Sequence, residues 1–205
     1  SDELKRLYAQ AKIEELIKNN KITWGDIREL IKLLDSRDEE LEKWAWEMVE
    51  KLVKRKLFPK DLAGEFLRLL EHPNEKVRQR AWKMVHGLID QGVLSPQEVK
   101  ERKRYFLELL GSPDEDVREV AWMTVDYLLE RGVLTPQEVK ERKGFLFELL
   151  ESPDESKRAT ALGELGILIN KGVFTRDDAG DFLRLLGHPD EDVRLRAWRV
   201  TDDLI

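Results

Sequence analysis

Residues 112–122 read Ser-Pro-Asp-Glu-Asp-Val-Arg-Glu-Val-Ala-Trp, and near-copies of this stretch recur along the chain. The copies begin at Ser36, His72, Ser112, Ser152 and His188, at spacings of 36, 40, 40 and 36 residues. The fourth position is always acidic (Glu39, Glu75, Glu115, Glu155, Glu191), and the tenth is always Ala (Ala45, Ala81, Ala121, Ala161, Ala197). The eleventh is Trp46, Trp82, Trp122, Leu162 and Trp198, and the seventh is Glu42 and then Arg78, Arg118, Arg158 and Arg194. Self-similarity at such a period marks a stack of supersecondary units, each unable to bury its apolar faces alone.

Each unit reads as two helices, A and B. Val117, Ala121, Val125 and Leu128 follow one another at helical spacing and give helix B one buried face. Ser112-Pro113-Asp114-Glu115 reads as its capping box, with Ser as the cap, Pro at the first helical position and Glu reaching back. Gly92, Gly132 and Gly172 end three of the B helices in the left-handed conformation. Thr23, Ser95, Thr135 and Thr175 open A helices, each with an acidic residue three positions on, and each A helix ends in a Leu pair, as at Leu109-Leu110. The reading is eleven helices in a single domain over 1–205: an opening helix at 2–19, then A/B pairs at about 23–56, 59–92, 95–131, 135–171 and 175–205. Short links make neighbouring helices antiparallel, and stacked pairs predict an all-α, right-handed αα superhelix.

Composition bounds the chemistry. The chain has 205 residues, with 42 Asp and Glu against 36 Lys and Arg, for a net charge of −6. Charged residues are 38%, well above the usual roughly 25%. Hydrophobic residues are 41%, enough for a packed core. The absence of cysteine excludes disulfides, Cys-ligated zinc, iron–sulfur clusters and thiol catalysis. No apolar run approaches the ~18 residues of a membrane span and no signal-peptide pattern opens the chain, so a soluble, cytoplasmic protein is expected. Abundant charge of both signs and few methionines point toward thermostability. No nucleophile elbow, phosphate loop, dinucleotide fingerprint or zinc motif is present, and the three histidines are not at ligand spacing. No catalytic, cofactor-binding or metal residue is therefore assigned.

The Val-Arg-x-x-Ala run after a Pro-Asp turn (Val77-Arg78 with Ala81, Val117-Arg118 with Ala121, Val193-Arg194 with Ala197), together with the Leu pairs, resembles the HEAT-like and armadillo-like repeat superfamily over residues 20–205. Ala161-Leu162-Gly163-Glu164-Leu165-Gly166 is similar to that superfamily's usual helix B. The resemblance implies a non-catalytic scaffold that binds macromolecules, usually proteins, along the concave face lined by the B helices.

On a helical wheel Arg118 and Trp122 share a flank, where guanidinium can stack on indole and the tryptophans can pack between repeats. The outward positions give no repeated chemistry, which excludes a one-residue-per-unit readout code. One neighbourhood stands out: Met123, Ala159, Gly163, Gly166 and Leu195 form an apolar, nearly side-chain-free strip, edged by Glu119 and Asp126 on one side and Arg196 and Arg199 on the other. It suits a peptide or helix; the competing reading makes the glycines mere packing positions. The alternative function is nucleic-acid binding at 51–60 and 76–89, two basic stretches without an acid. An enzyme of the glycosylase kind would draw on Asp126, Tyr127 and Trp122, and is the weakest reading. Trp198 and Ile205 fall on the flank where a sixth repeat would dock, which leaves open self-closure, a weak dimer beside the monomer, or further chain.

Overall fold

The computed structural model describes residues 2–204, and these are all-α, with no strand among them. They form fourteen α-helices and three 3-10 turns, in two compact units, Ser1–Arg102 and Lys103–Ile205. Among the described residues no helix is long and apolar enough to cross a membrane.

The first unit holds α1 (Asp2–Lys18), α2 (Trp24–Lys32), α3 (Glu39–Lys54), α4 (Ala63–Leu69), α5 (Glu75–Asp90) and α6 (Pro96–Lys100). In the second are α7 (Lys103–Leu109), α8 (Glu115–Trp122), α9 (Val125–Glu130), α10 (Pro136–Lys140), α11 (Lys143–Leu150), α12 (Glu155–Asn170), α13 (Ala179–Leu183) and α14 (Glu191–Leu204). The B helices are α3, α5, the α8–α9 pair, α12 and α14.

The helix count exceeds eleven because the A helices are broken. Pro96–Lys100 is separated from Lys103–Leu109, and Pro136–Lys140 from Lys143–Leu150, by a two-residue turn. The guanidinium of Arg102 donates to the Glu98 carbonyl at 2.8 Å, and that of Arg142 to Glu138 at 2.9 Å, so each break is closed by its own arginine. The 36-residue units do the same with 3-10 turns at Lys60–Leu62 and Arg176–Asp178. Helix B of the third repeat is also interrupted. The Thr124 hydroxyl bonds back to the Val120 carbonyl at 3.1 Å, which loosens the helix at Met123-Thr124.

The caps at Thr23, Ser95 and Thr135 are capping boxes as the sequence predicts; at Ser95 the Glu98 amide donates to Oγ at 3.2 Å and the Ser95 amide to the Glu98 carboxylate at 2.8 Å. The box read at Ser112 is not there. Helix α8 starts two residues later, and Asp114 is its cap, accepting the Asp116 amide at 2.9 Å. Ser112 Oγ instead accepts the Asp114 amide at 3.1 Å. Ser36, His72, Ser152 and His188 hold the same turn, the histidines through Nδ1 at 3.1 Å. The seventh-position arginine braces this turn in four repeats, while in the first, with Glu42 there, Asp38 caps α3 in the same phase. Arg78, Arg118, Arg158 and Arg194 each donate to the carbonyl of the turn-holding residue six positions back. They therefore clamp the A–B turn, not the indole of their own helix.

The tryptophan column closes the same joint from inside. The indole N–H groups of Trp46, Trp82 and Trp122 donate to the carbonyls of Leu34, Leu70 and Leu110, the second leucine of each pair, at 3.1, 3.1 and 3.2 Å. All three rings are buried. In the first unit the Arg80 guanidinium lies 6.0 Å from the Trp46 ring, a stack made between repeats.

Five helix ends share one device. Asn20, Lys56, Gly92, Gly132 and Gly172 all have φ between 56° and 71°. At each, the next residue's amide bonds back to a carbonyl one helical turn in, as Leu57 does to Leu52 at 2.9 Å. Glycine takes this conformation without steric cost, whereas Lys56 bears it.

Replacing Trp122 by Phe strands the buried Leu110 carbonyl and should cost about 1–3 kcal/mol. Replacing Trp198, which is 64% exposed, should stay within about 0.5 kcal/mol. Urea titration of W122F and W198F checks the contrast. K56G should raise stability by up to about 1 kcal/mol in the same assay.

Candidate functional site

The strip expected from the sequence lies on the turn between α8 and α9, on α12 and on α14 of the second unit, with α12 packed against α8 and α14. Met123 is 57% exposed and Leu195 55%, and Ala159, Gly163 and Arg199 are exposed, with Gly166 partly so. Met123 stands at the loosened turn after α8, a position helical periodicity does not reveal. The two glycines are not packing residues. A Cβ built on Gly163 or Gly166 meets no atom within 4 Å. The glycines that do let elements close up are Gly87, where a Cβ would come 2.7 Å from Val53 Cγ1, and Gly111, where it would come 2.9 Å from the Phe145 ring.

One edge of the strip carries a charge cluster. The Lys171 ammonium sits 2.7 Å from Asp126 and 2.6 Å from Glu130, bridging α12 to α9. Beside it Glu164, half-buried between Gly163 and Leu165, has a buried Oε2 with no hydrogen-bond partner. Burial, reinforced by the negative charge of Asp126, pushes its carboxyl up to about 7. Sequence reasoning passed over Glu164 because it sits in a run that reads as ordinary repeat consensus.

In the first unit, α3 and α5 pack side by side and leave a groove of about 370 Å³, which the sequence does not announce. Trp46, Val53 and Met84 make an apolar floor, and Lys43, Glu47, Glu50, Lys54, Arg80 and Lys83 stand around it. The Gln91 amide donates to the Val53 carbonyl where Gly87 meets Val53, so the helices are fastened at that end.

This geometry divides the two basic stretches. Arg55 donates to the Lys18 carbonyl and to Asn20 Oδ1, Arg78 to the turn at His72 and Pro73, and Arg80 to Glu42 at 3.4 Å. Lys54 pairs with Glu50 at 2.9 Å. Lys51 and Arg55 share a surface with Glu14 and Glu15 of α1. Stretches free of acid in sequence are thus interleaved with acids in space. Asp126, Tyr127 and Trp122 do not converge either: Trp122 is fully buried on Leu110, Asp126 is paired with Lys171, and Tyr127 lies under Arg131 at 5.1 Å. At the far end, Trp198 and Leu195 stay exposed around a depression shared with Leu186 and Arg194; Ile205 lies outside the described residues.

No protein-family model matches the chain, and no curated protein matches it. Among solved structures, Cex1p superposes over 96% of this chain with a TM-score of 0.66 and 13% identity. The match takes in 38% of Cex1p. Two engineered proteins of the Northeast Structural Genomics Consortium align over 95% and 88% of this chain, and over 83% and 48% of their own, at 17% identity and a TM-score of 0.46 each. The likeness to Cex1p concerns the fold, and it fits a helical repeat.

Glu164 generates a pH prediction. Its folded value lies above the ordinary 4.5, so the folded state holds the proton more tightly than the unfolded chain. Stability contributed at this residue is greatest below 4.5 and falls as pH rises to about 7. E164Q should remove that slope and be the more stable protein at about pH 8, as read from urea midpoints on both sides of the window.

Proposed function

We propose that this chain is a non-catalytic, protein-binding scaffold that takes a peptide or helix along the B-helix face of its second unit. The observation that carries the reading is the open space above Gly163 and Gly166, between exposed Met123 and Leu195. A bare backbone lets a partner's main chain come close, and the two flanking side chains supply apolar contact. Methionine, unbranched and polarizable, adapts to different partner shapes. Arg199 stands at the strip's far edge and the cluster of Asp126, Glu130 and Lys171, with one negative charge in excess, at its near one, so a partner with opposite charges at its two margins is favoured.

A displayed peptide library panned against the full chain tests this. Selected binders should lose at least about tenfold in affinity on M123D/L195D, equal to about 1.4 kcal/mol. The double variant should keep the circular dichroism and melting temperature of the parent, because both side chains are exposed. Binders that hold their affinity on the folded variant would overturn the assignment of the strip.

A further inference from the structure

The α3–α5 groove lies in the other unit and owes nothing to the strip. Its floor is apolar and already stiff. The indole N–H of Trp46 is committed to Leu34, and the little of its ring that reaches the groove, with Val53 and Met84 beside it, is carbon at the bottom between the two helices. The volume of about 370 Å³ accommodates a large apolar side chain. The groove is held at one end by the Gln91 bond to Val53 and by the close approach at Gly87.

The charges around the floor are not balanced among themselves. Two of them are consumed internally: Lys54 neutralises Glu50, holding that carboxyl below its usual range against the opposing effect of burial, and Arg80 reaches Glu42 while covering Trp46. Lys43 and Lys83 are exposed on opposite walls; among the described residues neither has a carboxylate within 4 Å, though Lys83 lies near enough to help keep Glu50 ionised. Counting Glu42, the partner of Arg80, with the lining, four cations (Lys43, Lys54, Arg80, Lys83) stand against three anions (Glu42, Glu47, Glu50), an excess of one positive charge over an apolar floor. A phosphate backbone carries a charge at every nucleotide and so cannot avoid Glu47 and Glu50, while an apolar floor gives it nothing to bind. A carboxylate-bearing chain can place its acids on Lys43 and Lys83 and turn away from Glu47.

We infer that the α3–α5 groove binds an acidic peptide segment through one large apolar side chain, seated on Trp46, Val53 and Met84, with flanking carboxylates on Lys43 and Lys83. The apolar anchor supplies affinity and the two lysines select sign, the usual division between a desolvated centre and a charged rim.

The test uses the full chain and a short fluorescein-labelled Glu-rich peptide with one central Phe, followed by anisotropy. Saturable binding is expected. It should weaken at least about tenfold when the peptide's Phe becomes Ala, when its Glu residues become Lys, and in K43E/K83E. Both lysines are exposed, so circular dichroism of that variant should match the parent. M123D/L195D should bind the probe as the parent does, which separates this groove from the strip. Absence of saturable binding, or binding indifferent to K43E/K83E, overturns the inference. A labelled oligothymidylate that binds more tightly than the Glu-rich peptide, and is lost in K43E/K83E, overturns it in favour of nucleic acid.

Discussion

Everything in this fold hangs on how the end of helix A is fastened to helix B. Two buried carbonyl groups would be left bare where the chain turns between them, and a bare buried carbonyl is costly. In the second and third repeats the indole of the eleventh position covers one, at the second leucine of helix A, and the guanidinium of the seventh covers the other, in the turn; the first repeat has the indole alone, and the fourth and fifth the guanidinium alone. Both donors come from the same helix B, one helical turn apart, so they lie on one flank. The fixed spacing of Arg and Trp in the repeat is the spacing that reaches both acceptors at once. The apolar faces of Val117, Ala121 and Leu128 then have a defined surface to bury against.

How much of this was legible depended on whether the signal was local. The period, the all-helical class and the capping boxes at Thr23, Ser95 and Thr135 follow from residues a few positions apart, and the structure has them. The sequence places the start of α8 two residues early because Ser112 and Asp114 can both cap; Asp114 takes the helix and Ser112 holds the turn before it, as Asp38 and Ser36 do in the first repeat without an arginine. The A helices read as continuous because their apolar spacing runs through the breaks that Arg102 and Arg142 bridge.

The surfaces divide in the same way. The strip was visible because a wheel places Met123, Gly163 and Leu195 outward without reference to any neighbour. Whether Gly163 was a packing residue could be settled only by what stands opposite it, which is nothing within 4 Å. The α3–α5 groove had no signature, since it arises from two helices lying together. The basic stretches change character for a related reason: counting along the chain ignores Glu14, Glu42 and Glu50, which stand beside Arg55, Arg80 and Lys54 in space.

The fourth repeat departs from the first three in one respect that bears on mechanics. Leu162 stands where Trp46, Trp82 and Trp122 stand elsewhere, so no indole ties α12 to the end of α11. Van der Waals contact resists separation but scarcely resists sliding, whereas a hydrogen bond resists both. The α11–α12 joint is therefore more compliant than the α7–α8 joint of the same unit, as is the α13–α14 joint, whose Trp198 is 64% exposed, and α12 carries Ala159, Gly163 and Gly166. A bare backbone ridge mounted on a yielding joint can tilt to meet a surface, which a rigid ridge of the same shape could not do.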